Sequence, residues 1–232
     1  MKKDEKPRRA AGWGMAGAAL VGAAWLADSY RRSRTAVNTH RILVDVLLNA
    51  LTADDAITAR HSRRVADLSF ALAQRCGMPR RQLATLRVGA LLHDMGKIDD
   101  RFFHIVHSRD PLSEDERQEM EFHPHLSARI LDPLEPIHPG ITEIVASHHE
   151  CWDGTGYPKC LRGEEIPLGA RIIALADVFD AMTQPRAYKE GMPVDEAFEQ
   201  LRRGSGHQFD PHLVDLLLCH PVKNLWAEIA SS

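Results

Sequence analysis

The chain has 232 residues, of which 44% are hydrophobic and 26% charged, and its formal net charge is -3 at pH 7. This composition is typical of a soluble globular protein, and the length suits one large domain with a short appendage, so disorder throughout the chain is excluded. The small negative charge gives no overall attraction to a nucleic acid polymer, so any phosphate ligand must be bound by local cationic or metal sites.

The N-terminal segment predicts a membrane anchor at residues 1–35. Five basic residues occur before position 10, and an uncharged run then extends over residues 10–27. This run just reaches the length of a helix that spans a bilayer, although its many Ala and Gly residues make insertion marginal. A cleaved export signal and a soluble extension stay open as alternatives.

The rest of the chain has the hydrophobic spacing of helices, and no alternating strand pattern of useful length is visible. We expect a connecting helix at residues 36–53, a helical domain at 54–220 and a C-terminal tail at 221–232. Within that domain, helices are predicted at residues 52–76, 79–93, 113–122, 123–131, 141–150, 166–182, 194–203 and 211–218. Ser113 and Glu116 form a capping-box pattern, and Gly77 is a helix stop. The predicted fold class is all-α.

The four cysteines show no Cys-x-x-Cys pairing, which favours free thiols in a reducing compartment. Histidine is the unusual residue type, since the chain has 13, and several stand beside Asp, Glu or another His. Seven His and Asp residues are dispersed over several predicted helices, as expected when a bundle gathers metal ligands in its core: His61, His93, Asp94, His123, His148, His149 and Asp177. Imidazole and carboxylate ligands suit divalent Fe, Mn or Zn.

Asp94 directly follows His93, so its carboxylate can bridge two metal ions while the neighbouring imidazole binds one of them. Two ions that share a carboxylate can activate water and neutralise the charge of a phosphate ester. The minimal inference from these residues is a two-metal site for the hydrolysis of a phosphate ester.

Five segments of the chain, taken in order, resemble the HD-GYP family, the branch of the HD phosphohydrolases that acts as cyclic di-GMP phosphodiesterases. They are Thr58–Ala66, Leu92–Ile98, His123-Pro124, His148–Pro158 and Ala176–Thr183. The resemblance spans about Asp54 to Leu218 and implies an HD-type helical bundle.

The resemblance implies a role for each matching position. Six residues match metal ligands, with Asp94 as the bridge, and His149 matches a residue that binds metal or lies just behind it; the six are His61, His93, Asp94, His123, His148 and Asp177. The implied cofactor is a pair of divalent ions, Fe or Mn. Lys97 would act on a substrate phosphate, Tyr157 would contact a guanine base, and Arg186 with Lys189 would hold the phosphates. Asp180 would face the same site, and Asp94, Lys97 and Asp180 form the implied catalytic set.

The chain also departs from the family pattern. Some members have a glutamate that supports a third metal ion where this chain has Ile57, so a binuclear centre and the linear product pGpG are expected. The segment after Ile98, which borders the substrate cleft in the family, differs from the usual sequence. Two alternatives therefore stay open: a cyclic-dinucleotide-binding module with weak turnover, and an HD phosphohydrolase for another nucleotide.

The implied substrate, cyclic di-GMP, and the expected free thiols favour a catalytic domain on the cytoplasmic side of the inner membrane. The count of basic residues on the two sides of the anchor slightly favours the opposite orientation. A homodimer or a signalling partner protein is a further expectation.

Overall fold

The computed structural model describes residues 56–99, 102, 105, 113–185 and 190–231. Its helices are α1 Ala56–Arg75, α2 Arg80–Leu92, α3 Glu114–Met120, α4 His123–Leu131, α5 Ile141–Ala146, α6 Leu168–Thr183, α7 Val194–Arg203, α8 Pro211–Leu218 and α9 His220–Ala230. Short 3-10 turns occur at Met95–Ile98, Asp132–Leu134 and Gly163–Glu165. Within these ranges the β-pairing consists of an isolated bridge between Ser205 and Phe209. The predicted all-α class is confirmed.

Helix α1 is the centre of the bundle, because α2, α6 and α9 all pack against it. The core between these helices contains fully buried side chains such as Leu72, Leu86 and Phe179. Phe179 of α6 also contacts Phe198 of α7 and Trp226 of α9, with ring centroids 4.9 and 5.0 Å apart. Burial of these large apolar surfaces is the main source of stability in such a bundle.

Helix α1 ends where the sequence predicts. Gly77 has a φ of +73°, and the amides of Gly77 and Met78 donate to the carbonyls of Gln74 and Ala73 at 3.1 Å each. This Schellman pattern satisfies the last carbonyls of the helix and needs a residue that tolerates positive φ. The predicted capping box of α3 is also confirmed, because the Ser113 side chain accepts from the Glu116 amide and the Glu116 carboxylate accepts from the Ser113 amide.

The C-terminal segment differs from the predicted tail. Residues His220–Ala230 form α9, which packs on α1. Trp226 is fully buried, and its indole Nε1 donates to the carbonyl oxygen of Leu68 at 3.0 Å. The helical bundle therefore extends to residue 230, because Trp226 belongs to its core.

The short turn Met95–Ile98 fits closely against the start of α4. The Gly96 amide donates to the Ser127 hydroxyl at 2.8 Å, and a Cβ atom at Gly96 would overlap the carbonyl oxygen of His123. Only glycine permits this approach, which brings the end of α2 next to the first residue of α4.

No helix within the described residues is long and apolar enough to cross a membrane. The predicted anchor at residues 1–35 and the connecting helix at 36–53 lie outside those residues, and both stay predictions.

Candidate metal centre

Five elements bring the seven predicted ligands together. His61 comes from α1, His93 and Asp94 from the end of α2, His123 from the start of α4, His148 and His149 from the residues after α5, and Asp177 from α6. Two groups have ligand atoms within 4.8 Å of one another. We call them cluster 1 (His61, His93 and Asp94) and cluster 2 (His123, His148 and His149).

Asp94 faces both clusters. Its Oδ1 lies 3.2 Å from Nε2 of His123 and 3.9 Å from Nε2 of His148, while its Oδ2 lies 3.4 Å from Nε2 of His93. The same Oδ2 accepts a hydrogen bond from Nζ of Lys97 at 2.8 Å. A carboxylate in this position can be shared by two cations, one in each cluster.

Three of the histidines are oriented by the same local hydrogen bond. Nδ1 donates to the backbone carbonyl three residues earlier, at 2.8 Å for His93, 2.7 Å for His123 and 2.6 Å for His148. Because Nδ1 holds the proton, Nε2 presents a lone pair to the site. Burial also lowers the pKa of His93 and of His148, which favours the neutral, ligating form.

The unsatisfied atoms at this site fit a bound cation. Nε2 of His93 and Oδ1 of Asp94 are buried and make no hydrogen bond. Nε2 of His123 lies 3.3 Å from Nε2 of His148, so two lone pairs face each other. Buried acceptors in this arrangement are costly unless a cation satisfies them, and nitrogen and oxygen donors suit first-row divalent metals.

The Asp177 and Asp180 side chains contact the two nitrogens of His61. Oδ1 of Asp177 lies 3.2 Å from Nε2, and Oδ2 of Asp180 accepts from Nδ1 at 2.8 Å. Burial disfavours the protonated ring, but the hydrogen bonds to Asp177 and Asp180 outweigh it and raise the pKa of His61 to about 9. The two carboxylates thus stabilise a positively charged His61 ring. A metal ion bound at Nε2 would take the place of the proton there and supply the positive charge instead.

Asp180 differs from its predicted place beside the substrate. Its side chain is 2% exposed, and its two oxygens accept from Nε and Nη2 of Arg64 at 2.5 and 3.0 Å. With the His61 contact, the carboxylate makes three hydrogen bonds, one to Oδ1 and two to Oδ2. Asp180 therefore lies buried behind His61, where it orients the imidazole. The sequence reasoning also missed Arg64, which holds Asp180 in place.

We expect Asp180→Asn to lower metal affinity about 10- to 100-fold, the usual effect of losing the hydrogen-bond partner of a metal-bound histidine. Excess metal should restore activity, and the KM for substrate at saturating metal should stay unchanged. Metal titration followed by steady-state kinetics measures both. Asp195→Asn, at an exposed ion pair with Lys223, is the control. A raised KM with normal metal affinity would contradict this account and indicate that Asp180 contacts the substrate.

The loop that carries Tyr157 is fixed to the ligand pair His148-His149. The Tyr157 ring stacks on His149 with centroids 4.9 Å apart and planes at 28°, and the Tyr157 amide donates to the His149 carbonyl at 3.3 Å. A Cβ atom at Gly156 would overlap the His149 carbonyl and the Cys151 amide, so only glycine fits there. Burial, and next the charge of Glu121, raises the pKa of Tyr157, so its hydroxyl stays protonated.

Glu150 is a second residue that the sequence reasoning left without a role. Its carboxylate is buried, and it accepts from the backbone amides of Lys159 and Leu161 at 2.7 and 3.0 Å. These bonds tie the end of the loop that contains Tyr157 to Glu150, which directly follows His149. The signal in the sequence is a glutamate placed directly before a loop rich in Gly and Pro, whose amides need acceptors.

Glu150→Ala should reduce the unfolding free energy by about 3 kcal/mol, because two partly buried amides lose a charged acceptor. Denaturant unfolding measures this change, and Glu164→Ala, at an exposed position of the same loop region, should change stability by about 0.5 kcal/mol or less. Equal stability of the two variants would mean that water replaces the Glu150 bonds at no cost.

Two predicted substrate contacts, Arg186 and Lys189, lie outside the described residues and stay predictions. Lys97 is described, and its partly exposed Nζ lies next to the shared Asp94 carboxylate. All four cysteines are free, as predicted.

The fold and the site together define a helical protein with a histidine and aspartate metal centre in its core. The family model for the HD domain matches residues 45–213. The chain belongs to the HD domain family, and its resemblance to the HD-GYP branch is confirmed by the relatives below.

The chain is 37% identical over 185 residues to 3'3'-cGAMP-specific phosphodiesterase 2 of Vibrio cholerae, covering 78% of this chain and 35% of the relative. It is 39% identical over 167 residues to a cyclic di-GMP phosphodiesterase of Thermotoga maritima, and the match covers 71% of this chain and 45% of that relative. Among solved structures, Bd1817, an HDG"Y"P protein of Bdellovibrio bacteriovorus, aligns with a TM-score of 0.56 and 27% identity over 73% of this chain and 57% of that one. The chain thus spans less than half the length of these two curated relatives.

Proposed function

We propose that this protein is a metal-dependent phosphodiesterase that hydrolyses a cyclic dinucleotide, and that cyclic di-GMP is the substrate. The observation that carries the proposal is the shared Asp94 carboxylate, which faces two histidine clusters and contacts Lys97. The relatives from Vibrio cholerae and Thermotoga maritima, which are named as phosphodiesterases of 3'3'-cGAMP and of cyclic di-GMP, support the same substrate class.

The residues of the chain have distinct parts in this reaction. Cluster 1 with Asp177 would hold one divalent ion and cluster 2 the other, and Asp94 would contact both. Bound ions supply Lewis-acid activation of water and of the phosphodiester. Lys97, held by Asp94, places a positive charge where negative charge develops on the phosphate oxygens. Tyr157, supported by His149 and Glu150, forms an aromatic wall for a base.

The product and the metal follow from the same proposal. Ile57 cannot supply a carboxylate for a third ion, so we propose a binuclear centre that releases linear pGpG. The imidazole and carboxylate ligands suit divalent Fe, Mn or Zn, and of these we propose Fe or Mn, as the resemblance to the HD-GYP family implies.

A second candidate substrate is 3'3'-cGAMP. A relative that is 37% identical is named as specific for this nucleotide, and its similarity to this chain is comparable to that of the relative named for cyclic di-GMP. The two substrates share a guanine base and differ in the second base.

The test is hydrolysis by protein purified anaerobically and loaded with Fe or Mn, assayed with cyclic di-GMP, 3'3'-cGAMP and cyclic di-AMP, with pGpG and GMP resolved by chromatography. Conversion of cyclic di-GMP to pGpG is the expected result. Tight binding without product would identify a binding module, and a preference for 3'3'-cGAMP would identify the second candidate.

A further inference from the structure

An open groove of about 430 Å³ lies between the end of α3 and the loop that contains Tyr157. It is lined by Gln118, Glu121 and Phe122 on one side and by Thr155–Pro158 and Cys160 on the other. Its volume is in the range of sites that bind small molecules. None of the residues on the α3 side was singled out from the sequence.

The groove lies next to the metal centre, although no metal ligand lines it. Tyr157 lines the groove and stacks on His149 of cluster 2. On the other wall, Glu121 and Phe122 directly precede His123, another member of cluster 2. The groove is therefore close enough to the centre to take a neighbouring group of a ligand whose phosphate lies at the metal ligands.

The lining of the groove matches a nucleobase rather than a phosphate. Tyr157 and Phe122, the latter 43% exposed, offer aromatic surface on which a base can pack. Glu121 carries a negative charge that repels phosphate but accepts hydrogen bonds from N–H groups. The Glu121 and Gln118 side chains make no hydrogen bond or ion pair with another described residue, so both are available to a ligand.

The edge of guanine provides the complementary donors. Its N1–H and N2 amino group lie side by side and can both donate to one carboxylate, whereas adenine has an acceptor at N1 that a carboxylate repels. Gln118, with an amide that donates and accepts, can serve the guanine O6 carbonyl at the same edge.

We propose that Glu121, which lines the same groove as Tyr157, selects guanine over adenine in the substrate by accepting from N1–H and the N2 amino group. The inference rests on the proposed cyclic-dinucleotide function and adds its specificity determinant. It requires one guanine in the substrate, which both cyclic di-GMP and 3'3'-cGAMP contain and cyclic di-AMP lacks.

The first test compares Glu121→Gln with the matched control Glu119→Gln, which removes the same charge from an exposed position of α3 outside the groove. Metal-loaded protein is assayed with the three cyclic dinucleotides. Glu121→Gln should lower kcat/KM for cyclic di-GMP about 10- to 100-fold and leave that for cyclic di-AMP unchanged or higher, since an amide can pair with adenine. The control should keep the wild-type selectivity. If wild-type protein hydrolyses none of the three nucleotides, the proposed function is refuted. If wild-type protein is active but Glu121→Gln has the same selectivity among the nucleotides, the inference about Glu121 is refuted.

The second test needs no turnover, because the groove contains the exposed thiol of Cys160. Alkylation by iodoacetamide is followed residue by residue by mass spectrometry, with the exposed Cys219 as the internal reference. Saturating cyclic di-GMP should slow modification of Cys160 about tenfold or more and leave Cys219 unchanged, and cyclic di-AMP at the same concentration should protect much less. Bound cyclic di-GMP that leaves Cys160 unprotected, or equal protection by both nucleotides, would overturn the assignment.

Discussion

Replacing Asp94 by asparagine is expected to lower kcat by about 10³-fold or more and to reduce the metal content of the purified protein. Asp94 is the residue that faces both clusters, and its negative charge offsets that of the cations they would hold. Nearby His93 and Lys97 keep its pKa well below the usual range despite burial, so the carboxylate is ionised. Asparagine keeps the shape but removes this charge. Steady-state hydrolysis and elemental analysis of the same preparation measure the effect.

The control for this variant is Asp67→Asn. Asp67 lies on the surface of α1 in a half-exposed pair with Arg87, and surface pairs of this kind contribute little to stability. The Asp67→Asn variant should keep wild-type activity and metal content. Asp94→Asn protein with full metal and full activity would refute the binuclear centre.

The largest expected effect on stability comes from Trp226→Ala, which should lower the unfolding free energy by about 3–5 kcal/mol. Trp226 fills the space beside Phe179, and its indole donates to the Leu68 carbonyl in α1. Its removal leaves a large cavity in the part of the core that joins α9 to α1. Chemical denaturation gives the free energy, and the melting temperature should fall by roughly 6–20 °C for a domain of this size.

The adjacent residue is the matched control. Leu225 is 43% exposed, so Leu225→Ala should change stability by about 1 kcal/mol or less. If the two variants unfold at the same denaturant concentration, α9 does not contribute to the core in solution.

The sequence predicted those helices well whose boundaries depend on local signals. The bounds of α4, α7 and α8 coincide with the predicted ranges, and the end of α1 is fixed by Gly77, whose positive φ is a local property. Helix α5 was predicted to reach residue 150 but ends at Ala146. The chain leaves the helix so that His148 and His149 can contact ligands from α2 and α4, and hydrophobic spacing cannot report such a long-range constraint.

Helix α9 is present in the structure but was not predicted from the sequence. Pro221 at its start and the spacing of Val222, Trp226 and Ile229 are ordinary helix signals. Hydrophobic spacing does not indicate whether so short a segment has a surface to pack against, and the structure shows that α1 accommodates the Trp226 side chain.

For the site, the resemblance supplied the identity of the residues, and the structure supplied their arrangement. The three-residue spacing of Asp177 and Asp180 correctly indicated one helix face, and both side chains contact His61. Spacing could not indicate that Asp180 contacts Nδ1 of His61 while Asp177 lies at Nε2. The position of the Asp180 carboxylate depends on its ion pair with Arg64, which belongs to another helix. Glu121 had no sequence signal, since its relevance depends on a groove formed by distant segments.

The central claim is a centre of two metal ions that share Asp94. The most direct test is a titration of metal-free protein with Fe(II) or Mn(II), in which bound metal per chain and hydrolysis of cyclic di-GMP are measured at each step. The account predicts that binding saturates at two ions per chain and that activity rises mainly with the second. Saturation at one ion, or full activity with one ion bound, would contradict it.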